Sequence, residues 1–298
     1  MKILVTGGTG FIGRATVNRL SAHGHQCIVG SRNPARAASI GLPPGTEFLS
    51  DVNQSSPVDA AILLAGESVA GLWTRRKRAA IMSSRVEGTR RVVDWMRTAS
   101  PRPAVLISPS AVGYFGNRPG EVLDEASPPD PARGFRSRVC LAWEAEAWRA
   151  EDLGVRTVVP RFGVVLGPGG GMLRELLRAH RLRFSFVLGN PAAIVPWVAL
   201  DDVVSAIERA LVDAEISGVV NVVAPVKTTN ETFTRAVAAS VGSHVWGRVP
   251  AWLLRAAMGE LATAVLDDDY VVPRALLAAG FEFAETDLVA FLARTVRR

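Results

Sequence analysis

The chain is poor in the residues that build metal sites and covalent staples. It has 298 residues but two cysteines, Cys27 and Cys140, far apart and in no CxxC pair. A disulfide framework and a cysteine-rich zinc site are therefore excluded. Its four histidines, His23, His25, His180 and His244, form no HExxH pair and no tight cluster, so no metal site is expected. No apolar run approaches the roughly 18 residues of a membrane span. The opening Met1-Lys2-Ile3-Leu4-Val5-Thr6-Gly7 lacks the apolar region and cleavage site of a secretory signal. A cytoplasmic protein without membrane contact is expected. Lysine is scarce too: 31 of the 34 basic residues are arginine. The net charge of +6 is spread among acids, densest at 75–78 and 174–183, and reads as solvated helix faces rather than a nucleic-acid surface.

What is abundant is apolar: 48% of residues against 21% charged, enough for a large core in one domain or two modest ones. Short β-rich runs at 2–7, 26–32, 46–50, 59–66, 104–110 and 156–163 alternate with helical patterns at 11–23, 74–98 and 137–153. Near-continuous apolar strands between helices predict an α/β fold, a doubly wound parallel sheet covered on both faces. Residues 51–58 are too few for a helical crossover, which takes about a dozen, so a loop or single turn is expected there. After Gly163 the pattern changes. Pro168-Gly169-Gly170-Gly171 breaks the chain, a basic helix follows at about 172–182, and 184–200 is apolar and irregular. Residues 195–225 return to the sheet through a helix at 202–213 and a strand at 219–225. Helices follow near 230–241, 250–264 and 285–296, with little strand. The expected division is a dinucleotide-binding domain over 1–167 and 195–225, and a smaller, mainly helical substrate domain over 168–194 and 226–298.

Gly7-Gly8-Thr9-Gly10-Phe11-Ile12-Gly13 follows the first strand and opens a helix. Gly7 allows a tight turn, Gly10 lets backbone approach a pyrophosphate, and Gly13 lets helix and strand pack closely. Free N–H groups and the helix dipole then face the phosphates. An NAD site would carry an acid about 20 residues later, for the ribose 2′-OH. No Asp or Glu occurs between Gly13 and Glu47. The second strand ends Gly30-Ser31-Arg32-Asn33, with Arg36 close behind, and a guanidinium matches a 2′-phosphate by charge and shape. NADP (NADPH) is therefore expected, with NAD less favoured.

These segments, with Leu63-Leu64-Ala65-Gly66-Glu67-Ser68, SRVEGTR (84–90), ISPSAVGYFG (107–116), RFGVVLGPGGG (161–171) and WVALDDVV (197–204), resemble the extended short-chain dehydrogenase/reductases. ESVAG (67–71) and VCLAWEAEA (139–147) resemble one atypical branch, a nucleoside-diphosphate-sugar epimerase family with a C-terminal domain of unknown role. The resemblance spans essentially the whole chain. It implies a Rossmann-type domain with a small C-terminal substrate domain, and cofactor contacts from Leu64, Ala65, Gly66, Glu67, Ser108 and Arg161. Ser110 matches the superfamily's active-site serine. Relatives are often dimers through their two long helices, which makes a homodimer an expectation here.

The superfamily's Tyr-x-x-x-Lys pair is absent. Tyr114 is followed four residues later by Arg118, and Tyr270 by Arg274. In the helix that should carry the pair, Arg136 takes the tyrosine position and Cys140 the lysine position. That departure makes ordinary alcohol dehydrogenation or epimerisation doubtful, and Ser110 and Tyr114 remain as candidate catalytic residues. For substrate binding the candidates are Arg85, where relatives carry asparagine and which reads equally as part of a helix-face ion pair, Trp73, placed to stack on a ring or to act as a hydrophobic staple, and Cys140, which reads first as a small buried hydrophobe. Glu144 reads as a solvated helix acid. An NADP-dependent oxidoreductase or epimerase-like enzyme acting on a small substrate, nucleotide-linked or phosphorylated among the options, is the leading expectation. A non-catalytic NADP-sensing protein is the alternative.

Overall fold

The computed structural model describes every residue except 131, 133, 181–183 and 297–298. Its centre is a parallel sheet. The strands β1 (Lys2–Thr6), β2 (Gln26–Gly30), β3 (Glu47–Leu49), β4 (Ala60–Leu63) and β5 (Val105–Ile107) are joined by two later ones, Arg156–Phe162 and Gly218–Val222. From edge to edge the order is Gly218–Val222, Arg156–Phe162, β5, β4, β1, β2, β3, and the short piece Ser110–Ala111 adds to Arg156–Phe162. The residues alternate faces as a pleat requires. Ile3, Val5, Cys27, Val29, Ala60, Ile62, Val105 and Ile107 enter one core layer, while Leu4, Ile28, Ala61, Leu63 and Leu106 enter the other. Helices α1 (Phe11–Ala22) and Leu200–Val212 cover the first face. Helix α3 (Arg75–Thr98) covers the second, beyond the short α2 (Pro34–Ala38). This is the expected Rossmann-type doubly wound sheet.

Chain order reverses between β1 and β4, so a crevice opens at their carboxyl ends. The link at 51–58 is a single 3-10 turn, Val52–Gln54, capped by Asp51. Thr74 caps α3 by accepting a hydrogen bond from the Lys77 amide at 3.2 Å. Helix α4 (Phe135–Trp148) packs against α3.

The C-terminal part holds more strand than its sequence suggests. Phe184–Leu188 pairs in parallel with His244–Val249, with a register shift after Ser185. Trp197–Ala199 pairs with Val164–Leu166, and Tyr270–Val271 with Val122–Leu123. Of the returning segment only Gly218–Val222 enters the main sheet. These ladders are short, and His244–Val249 lies largely exposed, so no long apolar run announces it. The helix expected over 250–264 is broken. Ala251–Met258 ends at Gly259, whose φ of 57° no helix continues, and Thr263–Leu266 resumes after a 3-10 turn. The basic helix runs Gly171–His180; residues 181 and 182, placed in it from sequence, lie outside the described residues. A separate core of Leu166, Trp197, Phe233, Val237, Phe291 and Leu292 binds the C-terminal helices to Trp197–Ala199.

Candidate functional site

The turn after β1 is fixed by glycines that nothing else can replace. Gly7 has φ of 71°, and a Cβ there would lie 2.5 Å from the Ala65 amide nitrogen and the Leu64 carbonyl. A Cβ on Gly13 would lie 2.1 Å from the Gly7 oxygen. Helix α1 therefore begins against the strand ends, with Gly10 as its N-cap and the Gly10 amide donating to Gly7 O at 2.9 Å. Its first N–H groups have no partner within the helix and face the crevice. The Phe11 ring is held by the later glycine turn: a Cβ on Gly170 or Gly171 would meet it at 2.6 Å. Thr9 is half-buried within the loop.

Two hollows open from this turn. One, of about 140 Å³, lies between β2 and β4 and is lined by Gly30, Ser31, Arg32, Asp51, Ala65 and Thr89. Arg32 is exposed at its rim, and the segment that ends β2, Gly30-Ser31-Arg32-Asn33, carries no acid. Arg36 lies nearby in α2, whose N-cap Asn33 accepts the Arg36 amide at 3.0 Å. The sequence reading missed Asp51, although its place just after β3 marks it as a loop residue at the same sheet edge.

The other hollow is a cleft of about 400 Å³ whose wall includes Ile12, Leu64, Trp73, Ser110, Arg136 and Cys140. Ser110 is buried, and its hydroxyl interacts with the Cys140 thiol, which partly offsets the rise of that thiol. Cys140 lies behind it, with Sγ 3.6 Å from the Ala111 oxygen. Burial pushes the Cys140 thiol up, and the neighbouring Glu144 adds to that, so the group is a neutral thiol. Trp73 packs edge-on against Phe135 at 5.2 Å, and its ring N–H donates to Val69 O at 2.9 Å. Arg85 lies under Gly66. Its Nη1 donates to Glu67 O at 3.1 Å and Ile81 O at 3.2 Å, and its guanidinium stacks 5.3 Å from the Trp143 ring. It is a fixed wall of the cleft rather than a free hand. Glu67 is bonded to Lys77 at 2.6 Å, which holds its carboxyl below the usual carboxylate range.

Four sequence readings need correction. Tyr114 is not part of the cleft wall; it packs beside Val112, Phe115 and Leu123, with the Arg161 guanidinium 3.4 Å from its ring centre. Arg161 does not line the cleft either. It is 3% exposed and makes a two-pronged bond to Glu144, at 2.9 and 2.8 Å. Glu144 is accordingly a buried partner and not a solvated acid, because Arg161 neutralises it inside the fold. Ser108 is buried, its hydroxyl has no partner among the described residues, and it is not among the cleft-lining residues.

In the cleft wall, at the position that corresponds to the superfamily's tyrosine, stands Arg136. Its Nη1 donates to Asp267 Oδ2 at 2.6 Å and Thr263 O at 3.1 Å, and its Nη2 lies 3.4 Å from Asp269 Oδ2. Sequence reading missed both acids. The run Asp267-Asp268-Asp269 in an otherwise apolar stretch was the available signal.

A parallel doubly wound sheet with a glycine-lined turn at its switch point defines a dinucleotide-binding protein. The sequence model of the NAD dependent epimerase/dehydratase family matches residues 3–223, and that of a domain of unknown function (DUF1731) matches residues 249–295. The chain belongs to the NAD dependent epimerase/dehydratase family. It is 31% identical to the epimerase family protein YfhF of Bacillus subtilis over 300 residues, 99% of this chain and 98% of that one. It is 33% identical to the mouse epimerase family protein SDR39U1, covering 98% of each. The crystal structure of the human epimerase family protein SDR39U1 (isoform 2) with NADPH superposes with a TM-score of 0.90, at 31% identity and full coverage of both chains. No helix among the described residues is long and apolar enough to cross a membrane.

Proposed function

We propose that the protein is an NADPH-dependent oxidoreductase, within the epimerase/dehydratase family, acting on a small substrate held in the cleft beside Ser110. The observation that carries this is the cradle at Gly7, Gly10 and Gly13 with Arg32, rather than an acid, at the β2 tip. The human relative crystallised with NADPH supports the same cofactor. A bound NADPH supplies a hydride to its substrate. This chain's own residues do the rest. The amides at the start of α1 hold the pyrophosphate. Arg32, with Ser31 beside it, meets the 2′-phosphate, and Asp51 faces the adenosine end. Leu64, Ala65, Gly66 and Ile12 wall the cleft against water, and the buried Ser110 hydroxyl, beside the Cys140 thiol, offers a hydrogen bond to a substrate oxygen. Trp73 and Arg85 close the side toward α3.

The missing Tyr-x-x-x-Lys favours a second reading, an NADPH sensor without turnover. The two separate on one assay, in which purified protein at high concentration is given NADPH and a broad panel of aldehydes and ketones. Loss of the reduced-nicotinamide absorbance with one class supports the enzyme. Tight NADPH binding with no oxidation by any class overturns it in favour of the sensor.

A further inference from the structure

Next to the cleft lies a second cavity of about 270 Å³, and the two share Val112, Arg136, Val164 and Ala264. Its wall is mostly apolar, with Leu176, Ile194, Phe233 and Val249 contributing. Asp269 reaches this wall. It is 3% exposed, and while Oδ2 faces Arg136, Oδ1 is buried with no partner among the described residues. A buried carboxyl oxygen left so costs free energy unless a proton or a ligand meets it.

Charge decides what kind of ligand fits. The basic groups among the described lining residues are Arg136 and His180. Arg136 is already shared between Asp267 and Asp269. His180 is buried against Ser185, and burial pulls its pKa down, so it brings no positive charge near neutral pH. A diphosphate-linked sugar would bring its negative charges into a mostly apolar cavity where the one guanidinium among these residues already answers Asp267.

Taking the cofactor reading above as given, we propose that this cavity holds the body of an uncharged, mainly apolar carbonyl compound, and that Asp269 in its acid form donates the proton to the carbonyl oxygen. As the carbonyl carbon gains a hydride from the reduced nicotinamide, the C=O π pair moves onto oxygen, which takes the Asp269 proton. A C–H and an O–H bond form, the nicotinamide C4–H and the carboxyl O–H bonds break, the carbonyl is reduced and NADPH oxidised. The carboxylate left behind faces Arg136 and regains its proton from solvent.

The surroundings keep that proton in place. Burial pushes Asp269 up to about 7. Arg136, from α4, pulls it down; Asp267 and Asp268, on its own loop, push it up. His180 faces the cavity from Gly171–His180. Lys227 is engaged 5.1 Å above the neighbouring Tyr270 ring, and Asp130 and Arg255 act on Asp267.

The test uses the full chain. NADPH is titrated calorimetrically; benzylacetone, cyclohexanone and UDP-glucose are then offered to the NADPH complex, with binding read by saturation-transfer NMR and turnover by absorbance. Benzylacetone or cyclohexanone is expected to bind and be reduced, with kcat/KM falling above about pH 7. Asp269→Asn is expected to lower kcat about 100-fold or more and remove that pH limb, with NADPH affinity unchanged. Leu176→Trp, which fills the cavity, should abolish ketone binding and spare NADPH. In cofactor-free protein, carbon-13 NMR of the aspartate carboxyls should show a group titrating near 7 that Asp269→Asn removes. No heat with NADPH overturns the cofactor reading and this proposal with it. NADPH binding accompanied by displacement of the ketones by UDP-glucose, or by an unchanged pH profile in Asp269→Asn, overturns this proposal alone.

Discussion

Adding one methyl group to Gly13, or alternatively to Gly10, separates folding from cofactor binding. At Gly13 the new Cβ would lie 2.1 Å from the Gly7 oxygen and 2.7 Å from the Gly8 Cα. Both are backbone atoms, so the only relief is to push α1 off the turn. Overpacking of this kind costs about 1–3 kcal/mol, and each kcal/mol lowers Tm by about 2–4 °C in a chain of this order of size. At Gly10 the nearest atom to a Cβ is again Gly7 O, but at 3.2 Å, and the position is exposed. Gly10→Ala should therefore keep nearly the native Tm while its methyl occupies the approach of the pyrophosphate. Differential scanning fluorimetry and calorimetric NADPH titration read the two effects separately. Gly13→Ala is expected to melt several degrees early and bind weakly; Gly10→Ala is expected to melt normally and bind at least tenfold more weakly, a loss of about 1.4 kcal/mol. A Gly13→Ala protein as stable as wild type, or a Gly10→Ala protein with full affinity, would refute the reasoning.

Arg161→Leu leaves Glu144 buried without its partner and should cost about 3–5 kcal/mol in urea unfolding, most of it regained in the Glu144→Leu/Arg161→Leu double variant. Asp269 ionises more readily in the unfolded chain than in the fold, since burial raises it to about 7. Its stabilising contribution is thus fully present below the ordinary aspartate pKa near 4 and is lost as pH rises through about 7. Asp267, also raised chiefly by burial, acts in the same direction. The difference in Tm between Asp269→Asn and wild type should accordingly move in the variant's favour between about pH 5 and pH 8; an unchanged difference contradicts the assignment. Cys27 and Cys140 are both buried with thiols pushed up by desolvation, so mass spectrometry should find neither alkylated by iodoacetamide until the protein is unfolded.

The parts of the molecule legible in its sequence are those where one local pattern dictates one geometry. Ile3-Leu4-Val5 and Ala60-Ala61-Ile62 can only be strands buried on both faces, and Gly7-x-x-Gly10-x-x-Gly13 belongs to a turn closed by backbone contacts. The register that put Arg136 and Cys140 at the dyad positions brought both into the cleft wall. What stayed hidden is made by distance along the chain. Arg136 meets Asp267 across 131 residues, so neither end announces the other. Arg161 and Glu144 each look like surface charges until the strand Arg156–Phe162 and α4 bury them together. Tyr114, four residues after Ser110, reads as a site residue by its type and its nearness in sequence. The 3-10 turn Val112–Tyr114 carries its ring to another cluster.

The central claim is that Arg32 selects the phosphorylated dinucleotide at the β2 tip. Calorimetric titration of wild type and Arg32→Ala with NADPH and with NADH tests it most directly. The account predicts at least tenfold tighter NADPH binding by wild type, about 1.4 kcal/mol, with the preference gone in Arg32→Ala and NADH affinity little changed. Equal affinities in wild type, or a preference that survives the loss of Arg32, would contradict it.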